Sequence, residues 1–481
     1  MSISKFPFLP KPSMLILFFV VMVFNLSFSQ NSLMVNSPLS SVAPRDFFAF
    51  SNQALGISEF AYENSFRDLF VHPGKTPINF KASAWASYSR FENVYNYSLK
   101  ELTNENMNYK FFENFEYQDY KNIFPIGFAV NLDILSIGLI YGSGNMPYKF
   151  EDIYYSYHTN NLTISESQNA EGKVGYFKIA LGLNLYRDFN VGVSYSNQNH
   201  SMKWKDSYNY NYYLDFFSPS EITLGASYSL NNKLKFYLAY NDYKMKYERG
   251  SNYQSDSLGT DREYTNDYQG KVLNLDIRFG LTENLNLYSR MALDLRNIKI
   301  NDVRTLNNKV YKIPQNGDAT NYRFGLGANY RVGNVNLITE FNYEPGRENV
   351  QIIEGTPGSW DPYITGNDRY FKNWNFAFAM EAQVIDALKL QTGIKFYKTK
   401  VKLIQEFDWY RNINIDPYRK FSNSFITAGF EFRMYDFILN YIFNYSTEVK
   451  GFYPGLVFVP GDRFTEYNPL YHNFVLRYEI K

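Results

Sequence analysis

Four histidines, His72, His158, His200 and His472, are the side chains best suited to proton transfer near neutral pH. A hydrolase would set one of them beside a nucleophile and orient it with a third group. His158 and His200 fall in two predicted outside loops with serine and aspartate nearby, an arrangement that any polar loop offers. No Gly-x-Ser-x-Gly elbow, His-Glu-x-x-His helix or phosphate-binding glycine loop occurs in the chain. Zero cysteines remove a thiol nucleophile, a cysteine zinc site, a disulfide scaffold and a lipidated N-terminal cysteine. Asp256, Asp261, Glu263 and Asp267 supply oxygen ligands that could gather around Ca²⁺. Their spacing lacks the order of ligands and glycine of an EF-hand, so a solvated loop is expected. No catalytic residue, metal or cofactor is expected.

The remaining chemistry is charge and aromatic surface. Asp276, Arg278, Arg290, Asp294, Arg296, Arg323, Glu340, Glu381, Glu431 and Arg433 recur at alternate positions of successive segments. Residues of both signs facing a lumen serve either of two ends. They create a transverse field that sets ion preference, or they pair across strands to stiffen the wall and tether a plug. Mixed signs on adjacent strands suit pairing. Tyr208, Tyr210, Tyr212, Tyr213, Phe216 and Phe217 crowd one predicted loop, and Tyr363, Tyr370 and Phe371 recur in another. Exposed aromatics meet a ligand, a partner protein or lipid head groups. Alternatively, the strands continue above the membrane and the loops pack on one another.

The elements that carry these residues alternate with period 2, which marks strands. Phe177, Ile179, Leu181, Leu183 and Leu185 form one face, and Ala180, Gly182 and Asn184 the other. Leu273, Leu275, Ile277, Phe279 and Leu281 likewise alternate with Asn274, Asp276, Arg278 and Gly280. Each segment is about ten residues long, the length a tilted strand needs to cross a bilayer. Tight turns at Asp133, Arg187-Asp188, Asn231-Asn232, Glu283-Asn284, Gly333-Asn334, Asp386 and Asp436 alternate with long polar connections. Those connections lie near 91–122, 143–171, 197–219, 243–270, 297–320, 345–371, 398–420 and 446–467. Seven hairpins and a strand at each end make sixteen strands.

Short turns on one side and long loops on the other are the asymmetry of an outer-membrane barrel, with its turns periplasmic. The fold class expected is therefore all-β, a transmembrane antiparallel β-barrel of fourteen to sixteen strands. An aromatic share of 19% within a hydrophobic total of only 45%, at mean hydropathy −0.39, excludes a bundle of membrane helices. Tyr195, Tyr228, Tyr330 and Tyr343 sit near strand ends, where an interfacial girdle belongs. The final strand alternates as Phe474, Leu476, Tyr478 and Ile480 and is suited to close the barrel. Its last residue, Lys481, stands where an aromatic is common.

Residues 1–29 read as a secretory signal peptide: Lys5 and Lys11, the apolar run from Met14 to Phe24, then Ser27 and Ser29 before the cleavage point. Residues 30–77 lack alternation and are broken by Ser37, Pro38, Ser40, Ser41, Pro44 and Gly56. They form either a hatch inside or under the barrel or a flexible periplasmic leader, with Ser58–Phe70 a short helical candidate. Residues 78–481 are the barrel. A net charge of +1 gives no basic excess for nucleic acid.

The order of signal, N-terminal segment of about fifty residues and long Tyr-rich barrel resembles that of the FadL/TodX type of outer-membrane transporters. The likeness covers the whole chain as architecture and carries no sharp motif. Where that family often has an Asn-Pro-Ala-like step, this chain reads Val71-His72-Pro73-Gly74 and keeps only the proline. The family barrel also has fewer strands than the sixteen counted here. The resemblance implies a bacterial outer-membrane barrel for passive or gated uptake of small solutes, hydrophobic ones among them. Its partners would be outer-membrane lipid and such a solute. The alternative is a non-transporting barrel subunit, bound to other envelope proteins in a secretion or outer-membrane assembly machine.

Overall fold

The computed structural model describes residues 61, 68–70, 72–75, 80–99, 113–150, 153–156, 161–164, 168–186, 188–205, 211–231, 233–252, 261–306, 309–352, 364–407, 418–446, 449–451, 463–467 and 470–480. Residues 1–29, expected as a signal peptide, and residues 30–60 lie outside this set. Alternating side chains favour extended backbone because successive Cβ atoms then point to opposite faces. The strands are β1 (Ala82–Leu99), β2 (Glu113–Leu132), β3 (Leu135–Phe150), β4 (Ile153–Ser156), β5 (Asn161–Ile164), β6 (Gln168–Tyr186), β7 (Phe189–Lys205) and β8 (Asn211–Ser229). They continue as β9 (Leu234–Asn252), β10 (Asp261–Gly280), β11 (Leu285–Leu306), β12 (Lys309–Val332), β13 (Val335–Ile352), β14 (Ile364–Ile385), β15 (Leu388–Phe407) and β16 (Tyr418–Met434). The last are β17 (Phe437–Ser446), β18 (Val449–Gly451), β19 (Arg463–Tyr467) and β20 (Leu470–Ile480).

Sixteen of these form one closed antiparallel wall in the order β1, β2, β3, β6 to β17 and β20. Ala82 opposite Ile480 joins the last strand to the first, and Phe437 opposite Tyr478 joins it to β17. Closure satisfies every edge, which lipid cannot do. Strands β4 and β5 make a separate hairpin, and β18 and β19 extend the wall beside the far half of β1.

All seven expected turns join adjacent wall strands. Three of the two-residue turns use left-handed backbone, at Asp133 (φ 63°), Gly333 (φ 57°) and Tyr435 (φ 56°). In the four-residue turn before β9, Asn231 Oδ1 accepts from the backbone N–H of Lys233 and Leu234, both at 2.8 Å.

The barrel is inside out relative to a soluble protein. On β6 the alternate apolar residues Phe177, Ile179, Leu181, Leu183 and Leu185 are 36–54% exposed, while Tyr176 and Ala180 on the other face are buried. The same reversal holds along β10, β12 and β20, where Leu273, Phe324, Leu326, Phe474 and Leu476 face outward. This apolar belt lies next to the tight turns.

The strands differ from expectation in length. Fourteen of the wall strands run 16–24 residues, and the region 297–320, expected as a loop, is almost entirely the pairing of β11 with β12. Above the belt both faces meet water, so the apolar alternation stops while the hydrogen-bonded ladder continues. The barrel begins at Ala82, four residues later than expected.

Candidate functional site

The described residues of the N-terminal segment lie inside the barrel. Asp68–Phe70 form a helical turn, the His72 N–H bonds back to the Asp68 carbonyl (2.8 Å), and Pro73-Gly74 turns the chain so that Lys75 N bonds to His72 O (2.7 Å). Leu69 and Phe70 are fully buried among Phe80, Trp85, Ala129, Ile140, Tyr176, Ala180 and Val475, an apolar patch on the inner face of β20, β1, β2, β3 and β6. The hydroxyls of Ser194 and Ser227 donate to the carbonyls of Phe70 (3.3 Å) and Gly74 (2.7 Å). Contact with β8 is close enough to require glycine: a Cβ on Gly225 would lie 2.6 Å from the Gly74 nitrogen.

The other end is held on the opposite wall. Ala61 packs with Tyr288, Ile338 and Ala379. Its N–H donates to Glu340 Oε1 (2.5 Å), and Asn329 Nδ2 donates to its carbonyl (3.4 Å). Strands β3 and β13 are eight apart in a ring of sixteen, so the described residues of this strap meet opposite walls of the lumen, Leu69 and Phe70 on one side and Ala61 on the other.

His72 is buried, and neither ring nitrogen has a hydrogen-bond partner. Its ring stands edge-on to Tyr237 (6.0 Å), and the Lys75 ammonium sits 4.4 Å from the same Tyr237 ring. Burial, reinforced by the Lys75 charge, pulls its pKa down from the usual 6.5 to about 3, so the strap carries a neutral imidazole at neutral pH.

All ten expected lumen charges alternate with outward apolar residues and are therefore on inner positions. Asp276 and Arg290 are direct cross-strand partners joined by two hydrogen bonds of 2.7 and 2.8 Å. Arg278 donates to Asn286 (3.2 and 3.1 Å), and Arg296 pairs with Asp294. Arg323 pairs with Glu344 (2.6 Å). A chain of charges then runs around the turn end of β14, β15, β16 and β20. Glu381 meets Lys389 (3.4 Å), Lys389 meets Glu431 (3.7 Å), Glu431 meets Arg433 (4.0 Å), Arg433 meets Glu479 (3.7 Å), and Glu479 meets Arg477 (3.1 Å). Glu340 instead accepts from the strap. Cross-strand pairing offsets the cost of holding these charges in a narrow interior.

Sequence reasoning missed Glu221, which is buried on β8 and accepts from Thr223 (3.2 Å) and Asn241. It adjoins a stretch expected as loop, although the alternation of Glu221, Thr223 and Ser227 with Ile222, Leu224 and Tyr228 carried the signal. The buried pair Asn342 and Asn375 (2.9 Å) was missed too.

The expected loop aromatics are a correction. Tyr212, Tyr213, Phe216 and Phe217 lie on β8, paired in register with β7 and β9, because the wall continues above the belt. Tyr208 and Tyr210 lie outside the described residues, as do His158, Asp256 and Tyr363. His200 is on β7 opposite Phe216, not in a loop. Among the described residues no group of three or more histidines and carboxylates could hold a metal ion.

No protein-family model matches the chain, and no curated protein matches it. Among solved structures, the P. putida toluene transporter TodX aligns over 87% of this chain and 95% of its own, at 9% identity and a TM-score of 0.42. The Ralstonia pickettii toluene transporter TbuX aligns over 90% and 98%, at 10% identity and a TM-score of 0.41. The ferric citrate transporter FecA aligns over 85% and 82%, at 7% identity and a TM-score of 0.38. The resemblance to FadL/TodX-type barrels is one of architecture.

Proposed function

We propose that the chain is a bacterial outer-membrane barrel that admits small solutes through a lumen gated by its N-terminal strap. Hydrophobic solutes are among those it suits. One observation carries the reading: the strap covers an apolar inner patch. Leu69 and Phe70 occupy the surface that Trp85, Ile140, Tyr176 and Val475 would otherwise present to the lumen. Moving the strap exposes an apolar strip on one wall, opposite a wall whose charges are paired with one another. An apolar solute can take the place of the Leu69 and Phe70 side chains on that strip. Residues 30–77 thus act as a hatch, and the charged wall holds its shape and anchors one end through Glu340.

The test is uptake into proteoliposomes of a monoaromatic hydrocarbon and of a monosaccharide, with the whole chain and with residues 30–77 deleted. Faster entry on deletion supports a gated pore. Unchanged entry of both would overturn it.

A second reading, a non-transporting subunit of an envelope complex, draws on the wall strands that continue past the membrane, up to 24 residues in β12, and offer paired surface to another protein. Partners that stay bound in stoichiometric amounts through high-salt washing in mild detergent would favour it.

A further inference from the structure

Outward-facing cations sit on the loop side of the apolar belt. On β9 to β11 they stand among acids: Lys271 is opposite Asp242, and Lys299 is opposite Asp267. On β13 to β15 the arrangement is denser. Arg347, Lys372 and Lys398 are exposed there, and Lys400 and Lys402 half-buried, all at positions alternating with inner-face residues such as Asn375 and Lys395.

These five are neighbours by register. Tyr370 lies between Arg347 and Lys402, Lys372 is opposite Lys400, and Trp374 is opposite Lys398. The Arg347 guanidinium stacks 5.6 Å from the Tyr370 ring, and Tyr343 packs on Trp374 at 5.6 Å. The patch is thus framed by aromatic rings of the kind that sit at a membrane boundary.

Height fixes what the patch meets. Lys398 lies ten residues beyond the start of β15, Lys402 fourteen, and Arg347 twelve beyond the start of β13. At about 3.3 Å per residue and a tilt of about 40°, that is roughly 25–35 Å from the tight turns. A hydrocarbon core of about 25–30 Å ends there. The exposed outward residues Phe376 on β14 and Leu390 on β15 lie below the cations.

We propose that this face of β13 to β15 binds the phosphate groups of one phosphorylated lipid of the surrounding leaflet, its acyl chains lying along the apolar belt beneath. The lysines supply point charges and Arg347 a forked donor to phosphate oxygens. The inference rests on the membrane placement proposed above and is independent of solute uptake.

The experiment uses the full chain in nanodiscs of neutral phosphatidylcholine, titrated with lipid A and with its dephosphorylated form. The variant is K372Q/K398Q/K400Q, and the control is K173Q, an exposed outward cation on β6 away from the patch. Each lysine near a charged lipid surface contributes about fivefold, so the triple variant should bind lipid A on the order of a hundredfold more weakly. The control and the wild type should bind alike and prefer the phosphorylated form. Equal binding of both lipid forms, or equal affinity in the triple variant, would overturn the site. Nanodiscs present both leaflets alike, so orientation does not enter, and intact uptake in the triple variant separates failure of this site from failure of the gate.

Discussion

Phe70 is the residue on which the strap's closure can be measured. Its ring is fully buried against Leu69, Trp85, Ile140 and Tyr176, and a Cβ on Gly138 would touch it at 2.5 Å, so the seat is filled. Truncating a buried phenylalanine to alanine costs about 3–5 kcal/mol when the surroundings cannot collapse. A barrel wall held by ladders on both sides has little room to collapse. The loss falls on the docked strap alone, because in the undocked strap the ring meets solvent with or without truncation. Phe70→Ala should therefore raise the undocked population by a factor of roughly a hundred or more at about 1.4 kcal/mol per decade. The chain contains no cysteine, so Ala61→Cys provides a unique thiol at the far end of the same strap. Maleimide labelling of that thiol in proteoliposomes reports undocking, and conductance in planar bilayers reports opening. Both should rise with Phe70→Ala. Phe124→Ala, on the lipid face of β2, should change neither. If the Phe70 variant folds yet labels and conducts like the wild type, the strap does not close the lumen.

Acid should loosen the strap as well. His72 titrates near 3 when docked and near 6.5 when free, so between those values the undocked strap holds the extra proton and docking weakens as the pH falls. By pH 5 the loss is about 2 kcal/mol, and labelling of the Ala61→Cys thiol should quicken; an equal pH slope in His72→Gln would assign the effect to another group. Arg290→Ala leaves the buried Asp276 carboxylate without its bidentate partner and should destabilise the barrel by about 3–5 kcal/mol, with Asp276→Leu/Arg290→Met milder, read as urea midpoints of vesicle-embedded protein. The pairing account fails if the double replacement is the worse of the two. Gly225→Ala pushes a methyl into the Gly74 backbone and should quicken labelling of the same Ala61→Cys thiol while leaving the urea midpoint near that of the wild type. Unchanged labelling would show that the strap tolerates the methyl.

The legible part of this protein is the part written in alternation. The exposed run from Phe177 to Leu185 and the turns at Asp133, Gly333 and Asp436 place the wall strands, because a bilayer demands one apolar face and tight turns demand special backbone. Ten luminal charges were legible for the same reason: each alternates with the outward apolar residues at the period of the strand. Their partners were less visible, because Asp276 and Arg290 are fourteen residues apart and meet only through the register of a hairpin.

Strand ends above the belt could not be read, since Tyr212 and Phe216 belong to a ladder held by backbone bonds that leave no trace in hydropathy. Residues 61 to 75 are the extreme case. Nothing local in Leu69, Phe70, His72 or Gly74 tells a leader from a strap. Their place depends on Gly138, Gly225, Ser227 and Glu340, which lie 68 to 279 residues away in the chain. Local periodicity, imposed by lipid, determined the barrel. What lies inside it was decided by closure of the ring, which brings distant glycines and an acid onto one lumen.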